Sequence, residues 1–149
     1  LRVWQESIEL YKIVSRVFRI FPFTLAKVAS QNIASADSVH RNIAEGYCRR
    51  SVKEYLQSLY VALGSLGETV SGSTACRAAE QISPGDFEQI DLIAFKLEND
   101  LLKLVESLER KRDSRDWIDS LVVRESNSVY SAGDGDDSPW SDGAMEQAE

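Results

Sequence analysis

Apolar residues near the start of the chain recur at three- and four-residue spacing: Trp4, Ile8, Tyr11, Val14, Val17, Phe18 and Phe21. That period gathers them on one face of a helix and leaves Glu6, Glu9, Lys12, Arg16 and Arg19 on the wet side. Phe21-Pro22 predicts the end of this helix, because the proline ring disfavours helical backbone in the residue before it, and Pro22 then opens a new segment. From about Thr24 to Glu45, Leu25, Val28, Ile33, Val39 and Ile43 are interleaved with Ala26, Ala29, Ala34, Ala36 and Ala44. Small side chains at this density let neighbouring helices approach, which places the segment in the interior of a bundle. Gln31, Asn32, Asp37 and Asn42 must then find partners or water, since an unpaired buried polar group costs about 1–3 kcal/mol.

The segment Ser38 to Ser51 packs a helix end, a turn and a helix start into a few residues. Gly46 is expected to take the left-handed conformation that closes a helix, and Asn42 to bond backbone groups freed at that end. Glu45 can reach Arg49 or Arg50 across the turn as a clamp. Ser51-Val52-Lys53-Glu54 reads as a capping box, so a helix should begin at Val52. Tyr55, Leu56, Leu59, Leu63, Leu66 and Val70 continue it to about Glu80. Gly64, Gly67 and Gly72 each weaken it by about 1 kcal/mol relative to alanine, which argues for close helix contact or a kink.

Ser83-Pro84-Gly85-Asp86 supplies a cap, a proline at the first helical position and a first-turn carboxylate. Phe87, Ile90, Ala94, Leu97, Leu101, Leu104 and Leu108 follow at alternating spacings of three and four, the repeat of a helix seam, up to a charged end at Glu109-Arg110-Lys111-Arg112. Four stripes of this kind predict an all-α, antiparallel up-and-down four-helix bundle over residues 1–118. Residues 119–149 turn to Ser, Gly and Asp and are expected to form a mobile acidic tail, with Trp117, Ile118, Leu121 and Val122 as the exception that could dock on a neighbour.

Charge sharpens this division. The whole chain of 149 residues carries a net charge of −7, yet its first 118 residues balance, so the acidity belongs to the tail. A neutral domain gives no overall electrostatic signal for nucleic acid. Cys48 and Cys76 lack any metal-ligand spacing and read as small apolar residues of a reducing compartment. No apolar run reaches membrane-span length and no signal peptide pattern opens the chain, so a cytoplasmic location without membrane contact is expected.

Candidate chemistry is sparse. His40 is the sole histidine, which excludes a two-histidine metal site. Asp134-Gly135-Asp136-Asp137 lacks the ligand spacing of a calcium loop, and Gly64-Ser65-Leu66-Gly67 lacks the strand that a phosphate-cradling loop follows. No catalytic residue, cofactor, metal or small-molecule substrate is assigned. The one basic cluster is Arg41, Arg49, Arg50 and Lys53, with Tyr47 and Tyr55 nearby, a candidate for nucleic-acid contact.

Ser38, the run Asn42-Ile43-Ala44-Glu45-Gly46, Arg49 and Ser51, followed by Tyr60-Val61-Ala62-Leu63-Gly64-Ser65 and Glu68, resemble the four-helix-bundle proteins encoded in intervening sequences of bacterial 23S ribosomal RNA genes. Leu1-Arg2-Val3-Trp4-Gln5 and Phe21-Pro22 also look like that family, so the resemblance covers about residues 1 to 115. It implies a bundle with Asn42, Glu45, Gly46, Ser51, Glu54, Gly64 and Ser65 as structural motif, and a ring-shaped homo-oligomer, a pentamer. It also implies that Gly64-Ser65 marks a helix contact, whereas Gly67 and Gly72 depart from the pattern and suggest fraying after Val70. His40 stands where the family usually has proline. Kinship with accessory proteins of diversity-generating retroelements favours RNA binding, since five copies would multiply the four cations. Ile33 and Ala34, however, stand where the family places a pair of arginines. The expected role is a non-enzymatic structural or interaction module, with an RNA-binding accessory protein as the alternative.

Overall fold

The computed structural model describes residues 1–114. They form α1 (Arg2–Phe18), a 3-10 turn (Phe23–Leu25), α2 (Ala26–Tyr47), α3 (Val52–Ala78) and α4 (Pro84–Ser114). The predicted boundary at residue 118, the acidic tail, the Trp117 to Val122 segment and Asp134 to Asp137 lie outside the described residues. Among the described residues no helix is long and apolar enough to cross a membrane.

The four helices make one all-α bundle in which each packs on its chain neighbours and α4 returns to α1. Packing is most extensive between α2 and α3. Their antiparallel register is visible in side-chain pairs: Ser35 meets Thr69 (2.8 Å) and Ser38 meets Ser65 (2.8 Å). The partner number on α3 falls as the α2 number rises. The alanine-rich composition of α2 makes this approach possible, with Ala29 and Ala36 buried beside Val39 and Ile43.

α1 ends at Phe18, three residues before the predicted stop at Phe21. The Arg19 amide still donates to Ser15 (3.0 Å), and Phe21 folds back so that its ring lies 4.7 Å from that of Phe18. Pro22 is extended (φ −62°, ψ 154°) and leads into the 3-10 turn. On α1 the stripe differs in part from the expected one. Val3 and Leu10 are fully inside, while Ile8, Tyr11 and Phe21 are only half-buried.

Both predicted cap serines bond the amide three residues on, which at Ser51 is one half of the predicted capping box. The Ser51 hydroxyl accepts from the Glu54 amide (3.1 Å) and the Ser83 hydroxyl from the Asp86 amide (3.1 Å), which fixes the starts of α3 and α4. α3 does not fray after Val70; it runs to Ala78. Glu80 then takes the left-handed conformation (φ 59°), and the Gln81 amide donates to Cys76 (2.8 Å) and the Glu80 amide to Arg77 (3.1 Å). This is a Schellman stop with glutamate in the position that glycine usually fills. On α4 the buried residues are Ile90, Ala94, Leu97, Leu101, Val105 and Leu108. Val105 replaces the expected Leu104, because a straight helix at 3.6 residues per turn drifts off a strict seven-residue repeat.

Three glycines depart from their predicted roles. Gly46 is helical, not left-handed: no glycine among the described residues has positive φ. A Cβ on Gly46 would lie 2.8 Å from both Ser58 Cβ and Tyr55 Cδ2, so the residue is glycine because α3 crosses directly against it. Gly64, expected at a contact, has open space where its Cβ would be, as does Gly67. The contact is at Gly72, where a Cβ would come within 2.2 Å of Asn32 Oδ1.

Candidate functional site

The corner where α2 passes into α3 holds most of the residues singled out from the sequence. Asn42, Glu45, Arg49, Ser51, Lys53 and Glu54 line an open groove of about 560 Å³, with Gln57, Ser58 and Val61 along its α3 side. α2 brings Asn42 and Glu45 to one wall, about one helical turn apart, and the turn after it adds Arg49, whose amide bonds the Gly46 carbonyl. The Ser51 cap places Lys53 and Glu54 on the first turn of α3, opposite them.

Several of these side chains are already engaged. Arg49 forms the predicted ion pair with Glu45, which holds the guanidinium proton more tightly than usual. Asn42 does not serve the end of α2. Its amide donates one turn back, to the Ser38 carbonyl (2.8 Å) and hydroxyl (3.0 Å), and the carbonyls of Ala44 and Glu45 are taken by the Cys48 amide. Gly46 lies beneath the groove as the crossing point of the two helices. Ser65 sits further along α3 on its bond to Ser38, and Gly64 faces outward and takes no part.

Arg41 and Arg50 do not line the groove. Arg41 bonds Asp37 (2.5 Å), and the same carboxylate takes His40 Nε2 at 2.9 Å. Burial would raise the Asp37 pKa, but the hydrogen bonds from Arg41 and His40 outweigh it and hold the group below the ordinary range. His40 is tucked edge-on to the Tyr11 ring at 5.5 Å. It serves as a clamp on the α1 side of α2. The four predicted cations are thus accompanied by Asp37, Glu45 and Glu54, which leaves the corner one positive charge in excess where the sequence suggested four.

Among the described residues no three metal-ligating side chains come together. Cys76 is buried, which pushes its thiol pKa up, but Cys48 is exposed at the end of α2 and is no core residue.

What the sequence reading missed is apolar and lies elsewhere. Phe23 is 94% exposed and Ile20 78%, both in the α1–α2 connection; on α4, Leu92 and Phe95 are each 67% exposed. Leu102 and, on α3, Val61 are also in water. The α4 set was readable in principle. Phe95 and Leu102 are seven apart, a second stripe parallel to the buried one, and only the burial of the first shows that the second is left over.

No curated protein matches the chain. Among solved structures, a crystal structure from Bacteroides thetaiotaomicron, described as a protein of unknown function from the S23 ribosomal protein family, is similar with a TM-score of 0.58 at 22% identity. The match covers 69% of this chain and 97% of that one, and at this identity it speaks for the fold. The family described as 23S rRNA-intervening sequence protein matches residues 1–103. The helical bundle agrees with this likeness, and by the match over residues 1–103 the chain belongs to the 23S rRNA-intervening sequence protein family.

Proposed function

We propose that the chain is a cytoplasmic, non-enzymatic module that works by assembling with copies of itself, as a pentameric ring. The observation that carries this reading is the set of large apolar side chains left in water by a bundle whose own core is already closed. Phe23, Ile20, Leu92 and Phe95 are more than half exposed, and burying a side chain of this size is worth about 1.5–3 kcal/mol. Apolar side chains that gather at the surface mark interaction sites, and these come as two close pairs, Ile20 with Phe23 and Leu92 with Phe95. The resemblance drawn from the sequence supplies the stoichiometry. Light scattering of the full chain tests the reading: a mass near five times 16.7 kDa is expected, and a mass of one chain overturns it.

A second reading, RNA binding at the α2–α3 corner, is favoured by Arg49 and Lys53 opening onto one groove. The carboxylates beside them weaken it, since phosphate affinity scales with the cations available to displace counterions. Filter binding to structured RNA at two salt concentrations tests it. Salt-sensitive binding that Arg49→Ala and Arg50→Ala abolish supports this reading, and no retention at low salt removes it.

A further inference from the structure

We infer that the contact between copies is heterologous, with the Ile20 and Phe23 corner of one copy seated on the Leu92 and Phe95 face of the next. The inference rests on the self-assembly reading and names the two surfaces it uses.

The first surface is a rigid knob. Pro22 holds an extended backbone, and the 3-10 turn that follows, closed by the Leu25 amide on the Pro22 carbonyl (2.9 Å), presents Phe23 outward. Its neighbours along the chain are basic. Residues 10–36 contain no acidic side chain, and Arg19 and Lys27 flank the knob with no carboxylate partner among the described residues.

The second surface is apolar with an acidic border. Phe95 lies seven residues before Leu102 and fourteen before Glu109, which accepts from the Tyr60 hydroxyl on α3. The stripe therefore lies toward the α3 side of α4. The α1 side is occupied by Gln89, Lys96 and Asp100, which bond Arg16, Glu6 and Arg2. Glu88 and Asp91 border Leu92, and neither has a cationic partner among the described residues.

Each surface thus has apolar side chains at its centre and unpaired charge at its border, and the two signs are opposite. That is the layout of an interface with an apolar middle and a charged rim that sets orientation. The two surfaces belong to different elements, one to the α1–α2 connection and one to α4. In the ring proposed above each copy turns one of these surfaces to each neighbour, a head-to-tail contact used once per copy that closes when the rotation permits.

The test is the solution mass of the full chain in four forms: wild type, Arg19→Glu with Lys27→Glu, Glu88→Lys with Asp91→Lys, and all four changes together. All four positions are exposed and leave the core untouched, and helix content by circular dichroism checks that each form folds. The expected result is an assembled wild type, at least a tenfold weaker association for each pair alone, and recovery when both are reversed together. Phe23→Ser should weaken association as well, without any change of charge. An assembled wild type with both pairs unaffected overturns this contact but not self-assembly, whereas a monomeric wild type overturns self-assembly itself. Loss from each pair without recovery in the combined form also overturns the pairing. Were the acidic 119–149 segment the occupant of the knob, the Glu88 and Asp91 reversal would leave the mass unchanged, which counts against the proposal.

Discussion

Gly46 shows what a single position contributes. Its neighbours Tyr55 and Ser58 leave no room for a methyl group, so Gly46→Ala forces α2 and α3 apart or twists Tyr55. Overpacking of this kind costs about 1–3 kcal/mol, and chemical denaturation should read a loss of that size. Gly64→Ala should do the opposite. With open space around it and helical backbone on both sides, alanine there gains up to about 1 kcal/mol of helix propensity. The same method decides it, and a loss at Gly64 would mean that another surface closes on this face. Glu80 offers a third case. Left-handed backbone strains a side chain with a Cβ, so Glu80→Gly should stabilise the chain by about 1 kcal/mol, read as a raised denaturation midpoint. The sequence names all these residues but not their conformations. A glycine at a helix end is compatible with both a left-handed stop and a close crossing, and only the partner helix distinguishes them.

At the scale of elements, what was legible was local. The starts of α3 and α4 follow from Ser51 and Ser83, whose bonds reach only three residues ahead, and the α4 seam follows from a repeat within one segment. What depends on the register between helices was not legible. The sequence points Asn42 to the helix end because nothing in it shows that Ser38 is held by Ser65 where the Asn42 amide reaches it. The fastening of α1 to α4 is of the same kind. Arg2 bonds both Glu6 (3.2 Å) and Asp100 (2.6 Å), while Lys96 reaches Glu6 (3.2 Å). Burial would raise the Asp100 pKa, but its contacts with Glu6, Arg2 and Lys103 hold it below the ordinary carboxylate range. A depressed carboxylate pKa gives stability that is complete above the unfolded value of about 4 and is lost as pH falls through the folded one. Unfolding midpoints should therefore be level from neutrality to about pH 4 and fall below it, and Asp100→Asn should flatten that fall. An unchanged acid limb in the variant would remove Asp100 from the account.

For the whole molecule, the distribution of apolar surface decides between a self-sufficient bundle and a building block. The core is continuous through all four helices, yet Phe23, Ile20, Leu92 and Phe95 remain outside it, two in the α1–α2 connection and two on α4. The basic corner that pointed toward RNA is largely balanced by its own carboxylates, so charge gives little reason to look there first. Native mass spectrometry of the full chain over a range of concentrations tests the central claim most directly. A dominant species of five chains that persists on dilution is the predicted result. A species of one chain at every concentration would contradict it.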